Sequence, residues 1–311
     1  MRWRVVLMIT AVCLTLGLCC FSFESEAAAS YQIKVNIQKN TVTVYKYSEG
    51  EYEPYKAFLC SAGKATPVGK FRIYQKHRWR ALVQNTYGQY CSRFTGPILF
   101  HSVWYHHLNP ATMPNEEFNK LGTTASHGCI RLSVQDARWI YKNCPMGTPV
   151  IVYRSKNPGP LGKPENIRLP KKGIGYDPTD KWSRGNPYNK KKPKISGAKD
   201  RIVDYGDTTY DCMKGVRAKD TVGTRVDKKI KVSIRYCKDK EGSYQKVKRV
   251  NTIKPGWYQI TYQITDQLGR KAKVTVKHQV KDRPAEQDQP VPVTPPPIPP
   301  VESGTAMQGR P

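Results

Sequence analysis

Acidic side chains are scarce in this chain of 311 residues: 24 Asp plus Glu stand against 52 Lys plus Arg, leaving a formal net charge of +28. A surface so poor in carboxylates adheres to polyanions. No nucleic-acid-binding motif accompanies the charge, so nucleic acid is not an expected partner; for an exported chain, anionic cell-wall polymers would be. Histidine is sparse too, with six in all, and the spacings among His101, His106, His107, His127 and Cys129 match no common zinc motif. No metal or organic cofactor is implied. Hydrophobic residues at 38% and aromatics at 10% are compatible with globular folding, and the length suits one large domain or two modest ones.

The N-terminus is different in kind. Arg2 and Arg4 precede an apolar run from Val5 to Phe23, and Ala27, Ala28 and Ala29 offer small residues for cleavage, so residues 1–29 read as a secretory signal peptide. At about 18 residues the run is also long enough for an uncleaved anchor, the one route by which this chain would engage a membrane. Lipidation is disfavoured, because Leu18 precedes Cys19 and Cys19 precedes Cys20, where a small residue is wanted. The protein is expected to be exported, at the cell wall or cell surface, where disulfides are permitted. Beyond the signal lie Cys60, Cys91, Cys129, Cys144, Cys212 and Cys237.

The remaining pattern predicts a mainly β fold. Ile33, Val35 and Ile37 alternate, a Gln38-Lys39-Asn40 turn follows, and Val42 and Val44 resume, which reads as a hairpin. Tyr55–Leu59 and Lys70–Tyr74 look like further strands around a Gly- and Pro-punctuated loop at 61–69. Ser133 and Asp136 open a helix whose Val134, Ala137, Ile140 and Tyr141 share one face, ended by Pro145 and Gly147. Pro149–Tyr153 reads as a closing strand. Residues 155–200 turn Lys- and Pro-rich and read as a basic flank and linker. Residues 201–281 alternate again (Ile230, Val232, Ile234, Tyr236; Tyr258, Ile260, Tyr262, Ile264), predicting a small β-sandwich in which Cys212 and Cys237 can form a bridge worth about 3 kcal/mol. Residues 282–311 are a Pro-rich tail without a core.

The chemistry concentrates in Ser126-His127-Gly128-Cys129-Ile130-Arg131-Leu132, with His101 upstream in the apolar run Ile98–Val103. A thiol needs a nearby base or cation to become a nucleophile, and His101, His106, His107 and His127 are on offer. These residues, with Ala62-Gly63 and Thr66-Pro67-Val68-Gly69 upstream, resemble the L,D-transpeptidase (YkuD-like) catalytic domain, and the likeness spans residues 30–154. The resemblance implies an enzyme acting on peptidoglycan stem peptides, an acyltransferase of cell-wall biogenesis. Cys129 would be its nucleophile and His101 its base. Ser102 would orient His101 through its carbonyl, the amides of Gly128 and Cys129 would receive the oxyanion, and Ser126 and His127 would be supporting residues. Arg131 would bind a substrate carboxylate or brace the loop. The gap from His101 to Ser126 is longer than the family's. His106 and His107 fall inside it, but they introduce a polar loop, so His101 is preferred.

The expected reaction moves an acyl group from a tetrapeptide stem donor onto Cys129 with release of D-alanine, and from Cys129 to an amine acceptor. An L,D-carboxypeptidase using water as acceptor, and a non-catalytic wall-binding surface protein, are the alternatives. The sandwich at 201–281 resembles bacterial Ig-like modules that space or position an enzyme.

Overall fold

The computed structural model describes residues 29–285. The signal segment and most of the Pro-rich tail lie outside the described residues. In chain order the first half contains β1 (Tyr31–Asn36), β2 (Thr41–Ser48), β3 (Glu51–Leu59), β4 (Gly69–Arg72), β5 (Gln75–Ala81), β6 (Tyr87–Thr95), β7 (Ile98–Ser102), β8 (Met113–Pro114), helix α1 (Asn115–Asn119), β9 (Ile130–Leu132), helix α2 (Val134–Asn143) and β10 (Pro149–Tyr153). Then come β11 (Ile174–Gly175), β12 (Lys194–Ser196), β13 (Arg201–Val203), β14 (Arg217–Lys219), β15 (Lys231–Cys237), β16 (Gln245–Val247), β17 (Gly256–Thr265) and β18 (Lys271–Val280). The described residues divide into two units: 29–196 with 217–230 and 263–273, and 197–216 with 231–262 and 274–285.

The first unit holds two large sheets and two two-stranded ones, β11-β8 and β12-β14. One large sheet has the order β3-β2-β1-β10-β4. The expected hairpin is its centre: Ile33 pairs with Val44 and Val35 with Val42, and the closing strand runs parallel beside β1 with Ile33 opposite Val150. Alternation sends these side chains inward, and Ile33, Val35, Val42, Val44 and Val150 are all fully buried. The other large sheet has the order β5-β6-β7-β9, with β7 and β9 parallel: Phe100 faces Ile130, His101 faces Arg131 and Ser102 faces Leu132. Phe100, Ile130 and Leu132 enter the core with Val134, Ala137 and Ile140 of α2. The other face of β7 and β9 is thereby left for chemistry.

Helix α2 starts as its sequence suggests, with the Ser133 hydroxyl accepting from Asp136 N–H at 3.2 Å. Its next orphan amides are satisfied from far away. Val134 N–H donates to Asp177 Oδ2 at 2.7 Å and Gln135 N–H to Thr179 Oγ1 at 3.1 Å. Asp177, Thr179, Asp180 and Asn186 are buried, and Asn186 Nδ2 donates to the carbonyls of Asp177 and Asp180. The stretch that reads as a solvated linker is, over residues 155–190, folded onto the first unit. Its Lys and Pro content conceals a short run of Asx turns whose carboxylate serves α2. Upstream, Asn36 Nδ2 holds the carbonyls of Ser155 and Asn157, and β11 pairs with β8.

The second unit is built on a five-stranded sheet of order β13-β18-β17-β15-β16, whose β17 carries the buried Tyr258, Ile260 and Tyr262. His278 of β18 is buried there, bonded by Nδ1 to the Tyr210 hydroxyl at 2.6 Å and by Nε2 to the Lys199 carbonyl at 3.1 Å. Cys212 and Cys237 are free thiols, as are all six cysteines among the described residues, so the expected bridge is not made. No helix among the described residues is long and apolar enough to cross a membrane.

Candidate active site

Side chains alternate across a strand, so Leu99 and His101 of β7 share a face, and Arg131 of β9 lies beside His101. Continuing that register by one pair sets Cys129 beside Leu99. Leu99, His101, Cys129 and Arg131 accordingly line one cavity of about 340 Å³, together with Ser126, His127, Gly128, Trp104, Pro97, Ile98, Arg80, Arg93 and the β5–β6 connection from Ala81 to Thr86. His106 and His107 do not join them. Both are exposed and line a separate surface depression with Thr112 and Ile174.

His101 is 3% exposed, and its Nδ1 has no hydrogen-bond partner. Burial, reinforced by the Arg131 guanidinium, pushes its pKa down to about 3, against a partial correction from the Ser102 backbone that favours the protonated ring. The imidazole is neutral at physiological pH, with Nδ1 uncommitted. Ser102 acts below the ring: its hydroxyl accepts from Gln89 N–H at 2.9 Å and donates to the Val103 carbonyl at 2.7 Å. Gly88 leaves room for the ring, since a Cβ there would sit 3.0 Å from Nδ1.

Cys129 lies at the cavity wall with Sγ 3.8 Å from the Pro97 carbonyl. Burial raises its pKa, while the Leu99 backbone, Arg131 and Arg93 favour the thiolate. Thiol and imidazole therefore rest as a neutral pair. The other core thiols are inert: burial pushes Cys60 far up, and Cys91 and Cys144 up to about 12.

The cysteine loop is held by the upstream glycine loop, backbone to backbone. Ser61 and Arg131 exchange both of their N–H···O bonds at 2.9 Å, and the Ala62 carbonyl accepts from Ala125 and Ser126 N–H. The Thr66 hydroxyl accepts from Gly63 N–H at 2.9 Å and donates to the Gly128 carbonyl at 2.6 Å. Asn40 fastens the far side, its Oδ1 accepting from Ala62 N–H at 2.8 Å. Gly63 lies flat on the His127–Gly128 peptide; a Cβ would come within 2.4 Å of the His127 carbonyl carbon. Within the loop, the Ser126 hydroxyl donates to the Cys129 carbonyl at 2.5 Å. The N–H groups of Gly128 and Cys129 find no acceptor among the described residues.

Arg131 is committed. Its Nη1 donates to Glu117 Oε2 at 2.7 Å, and Glu117 also accepts from Trp104 Nε1 at 3.1 Å and pairs with Lys120. Of the two roles the motif suggested for Arg131, this contact is the bracing one. Glu117 carries no sequence signal: it belongs to the long insert and meets Arg131 only through the fold. Arg80, Arg93 and Gly88 were equally silent, although strand alternation on β6 puts Arg93 on the cavity face. Of the neighbouring aromatic residues, Trp104 lines the cavity, whereas Tyr90 and Tyr105 are buried in the core. The first amides of α2 are taken by Asp177 and Thr179, so they do not face Cys129 unsatisfied.

Comparison with known proteins supplies an independent reading. The family model of the YkuD L,D-transpeptidase catalytic domain matches residues 30–152. The Bacillus subtilis (strain 168) protein YciB, provisionally named an L,D-transpeptidase, is 48% identical over 134 residues, covering 39% of this chain and 64% of that protein. Among solved structures, an L,D-transpeptidase from Mycobacterium tuberculosis H37Rv is 27% identical with a TM-score of 0.31, over 40% of this chain and 58% of its own. A fused Zn-dependent amidase/peptidase/peptidoglycan-binding domain-containing protein from Clostridium acetobutylicum is 28% identical with a TM-score of 0.32, over 40% and 52%. The chain spans less than two thirds of the length of each of these.

Proposed function

With residues 30–152 an L,D-transpeptidase catalytic domain, we propose that this chain joins peptidoglycan stem peptides by acyl transfer through Cys129. The observation that carries the reading is the meeting in one cavity of Cys129 with a neutral His101 whose Nδ1 has no partner. His101 takes the thiol proton as sulfur attacks the scissile carbonyl of a tetrapeptide stem, since the resting pair is neutral and the thiolate forms only along the way. The free N–H groups of Gly128 and Cys129 receive the developing oxyanion. Collapse leaves a thioester and expels D-alanine, whose amine recovers the proton from His101. The amine of a second stem then resolves the thioester. Ser102 positions His101, while Ser126 and the Thr66 clamp hold the loop; His127 lies at the exposed rim.

The protein is proposed to work outside the membrane at the wall, delivered by residues 1–29. The basic surface would favour anionic wall polymer, and residues 201–281 would act as an Ig-like spacer. Incubation with a tetrapeptide-bearing disaccharide, read by mass spectrometry, tests the reaction: a crosslinked dimer is expected, and a trimmed monomer alone would make the enzyme a carboxypeptidase. Cys129→Ala should abolish both thioester and dimer. Unchanged turnover in that variant would sink the assignment.

A further inference from the structure

We propose that Arg93 is a carboxylate-binding residue of the cysteine cavity and that it selects acyl donors whose leaving residue bears a free carboxylate. The inference rests on the acyl-transfer reading above. Arg93 of β6 pairs across the strands with Leu99 of β7, and continuing the β7–β9 register places Leu99 beside Cys129. The three residues form a row across the cavity floor, and two strand spacings separate the Arg93 and Cys129 backbones, about 10 Å. A scissile carbonyl at Sγ with its leaving residue directed along the row brings that residue's α-carboxylate under the guanidinium.

The other cations of the cavity are already engaged. Arg131 is held by Glu117, and Arg80 donates from Nη1 to His77 Nε2 at 3.0 Å. Arg93 differs: its Nε is buried and bonded to nothing. No carboxylate is among the described residues that line the cavity, so the anion must arrive with the substrate. A guanidinium matches a carboxylate with paired N–H donors, and the half-buried site strengthens the match.

The test compares two alkylating agents of nearly equal size, iodoacetate and iodoacetamide, at Cys129, followed by peptide mass mapping. In each the sulfur bonds to the methylene carbon, iodide departs and the thiol proton passes to His101. Relative to the same pair of rates on free cysteine, the protein should favour iodoacetate by about tenfold or more. Arg93→Met should return the ratio to that of free cysteine, Arg93→Lys should keep part of it, and Arg80→Met most of it. A native ratio equal to free cysteine's, or an unchanged ratio in Arg93→Met, overturns the proposal. Should Arg93→Met not fold, sulfate must slow iodoacetate and not iodoacetamide on the native protein; equal slowing overturns it.

Three matched tetrapeptide donors then locate the carboxylate: free acid, C-terminal amide, and an amide on the third-residue side chain. The C-terminal amide should lose about 10- to 100-fold in kcat/KM, and Arg93→Met should erase that loss. Sensitivity to the side-chain amide alone overturns the leaving-residue assignment. If no donor turns over while the alkylation ratio holds, the acyl-transfer reading fails and the carboxylate site stands.

Discussion

Gly63→Ala puts the support of the cysteine loop to a direct test. The added methyl would lie 2.4 Å from the His127 carbonyl carbon and 2.5 Å from Gly128 N, against ordinary carbon contacts of about 3.5 Å or more. Both obstacles are backbone, so no rotamer change relieves them and the loop must retreat by about 1 Å. That displacement strains the bonds from Thr66 to the Gly128 carbonyl and from Ala65 N–H to the His127 carbonyl. Overpacking of this kind costs about 1–3 kcal/mol of stability, and a 1 Å misplacement of a reacting group costs about 100-fold in rate. The assay is kcat/KM on the tetrapeptide-bearing disaccharide, with stability followed by chemical denaturation. Gly175→Ala is the matched control, since its Cβ would meet only Asn115 Oδ1 at 3.9 Å. Activity of Gly63→Ala within threefold of the native protein would refute the claim that this glycine sets the position of Cys129.

Glu117→Gln leaves the Arg131 charge without its counterion, so it should lower stability by about 1–3 kcal/mol in denaturation and shift the pH midpoint of Cys129 alkylation downward; an upward shift would contradict the electrostatic reading. Asp177→Ala removes the acceptor for Val134 N–H and should cost about 1–3 kcal/mol, with faster protease cleavage within residues 176–190; a loss under about 0.5 kcal/mol would count against the anchor. Because folded His101 has a pKa of about 3 against an ordinary 6.5, the unfolded chain binds the proton more readily in between, so this group's stability contribution is complete above pH 6.5 and falls toward pH 3. The loss has a ceiling of about 5 kcal/mol, and His101→Gln should flatten that part of the pH–stability curve. The same variant should lower turnover about 100- to 10,000-fold, while joint His106→Gln and His107→Gln stays within a few-fold; the reverse ranking would reassign the base.

Local features of the sequence proved legible. Alternation announced β1, β2 and β10, and Ser133 with Asp136 announced α2, because these signals depend on near neighbours. That Cys129 and His101 belong to one cavity was suggested by the sequence, because His101 sits in an apolar strand and Cys129 at the centre of a distinctive heptapeptide. What escaped depends on contacts across long stretches of chain. Glu117 finds Arg131 only after the insert has folded back, and Asp177 finds Val134 from 43 positions away. Asn40 read as a turn residue, yet it is buried and clamps Ala62. The Lys- and Pro-rich composition around residues 155–190 outweighed a few buried Asp, Thr and Asn side chains whose purpose is invisible without their partners.

The capping of α2 by Asp177 and Thr179 bears on how this chain can be divided. The segment that carries the whole catalytic motif ends near residue 152, but a chain cut there would leave two amides of its principal helix without acceptors and expose the surface that residues 155–190 cover. The recognisable family segment is therefore smaller than the folding unit. Transplanting it alone into another protein should yield the right residues in a poorly held frame, and the stretch after Tyr153 must travel with it.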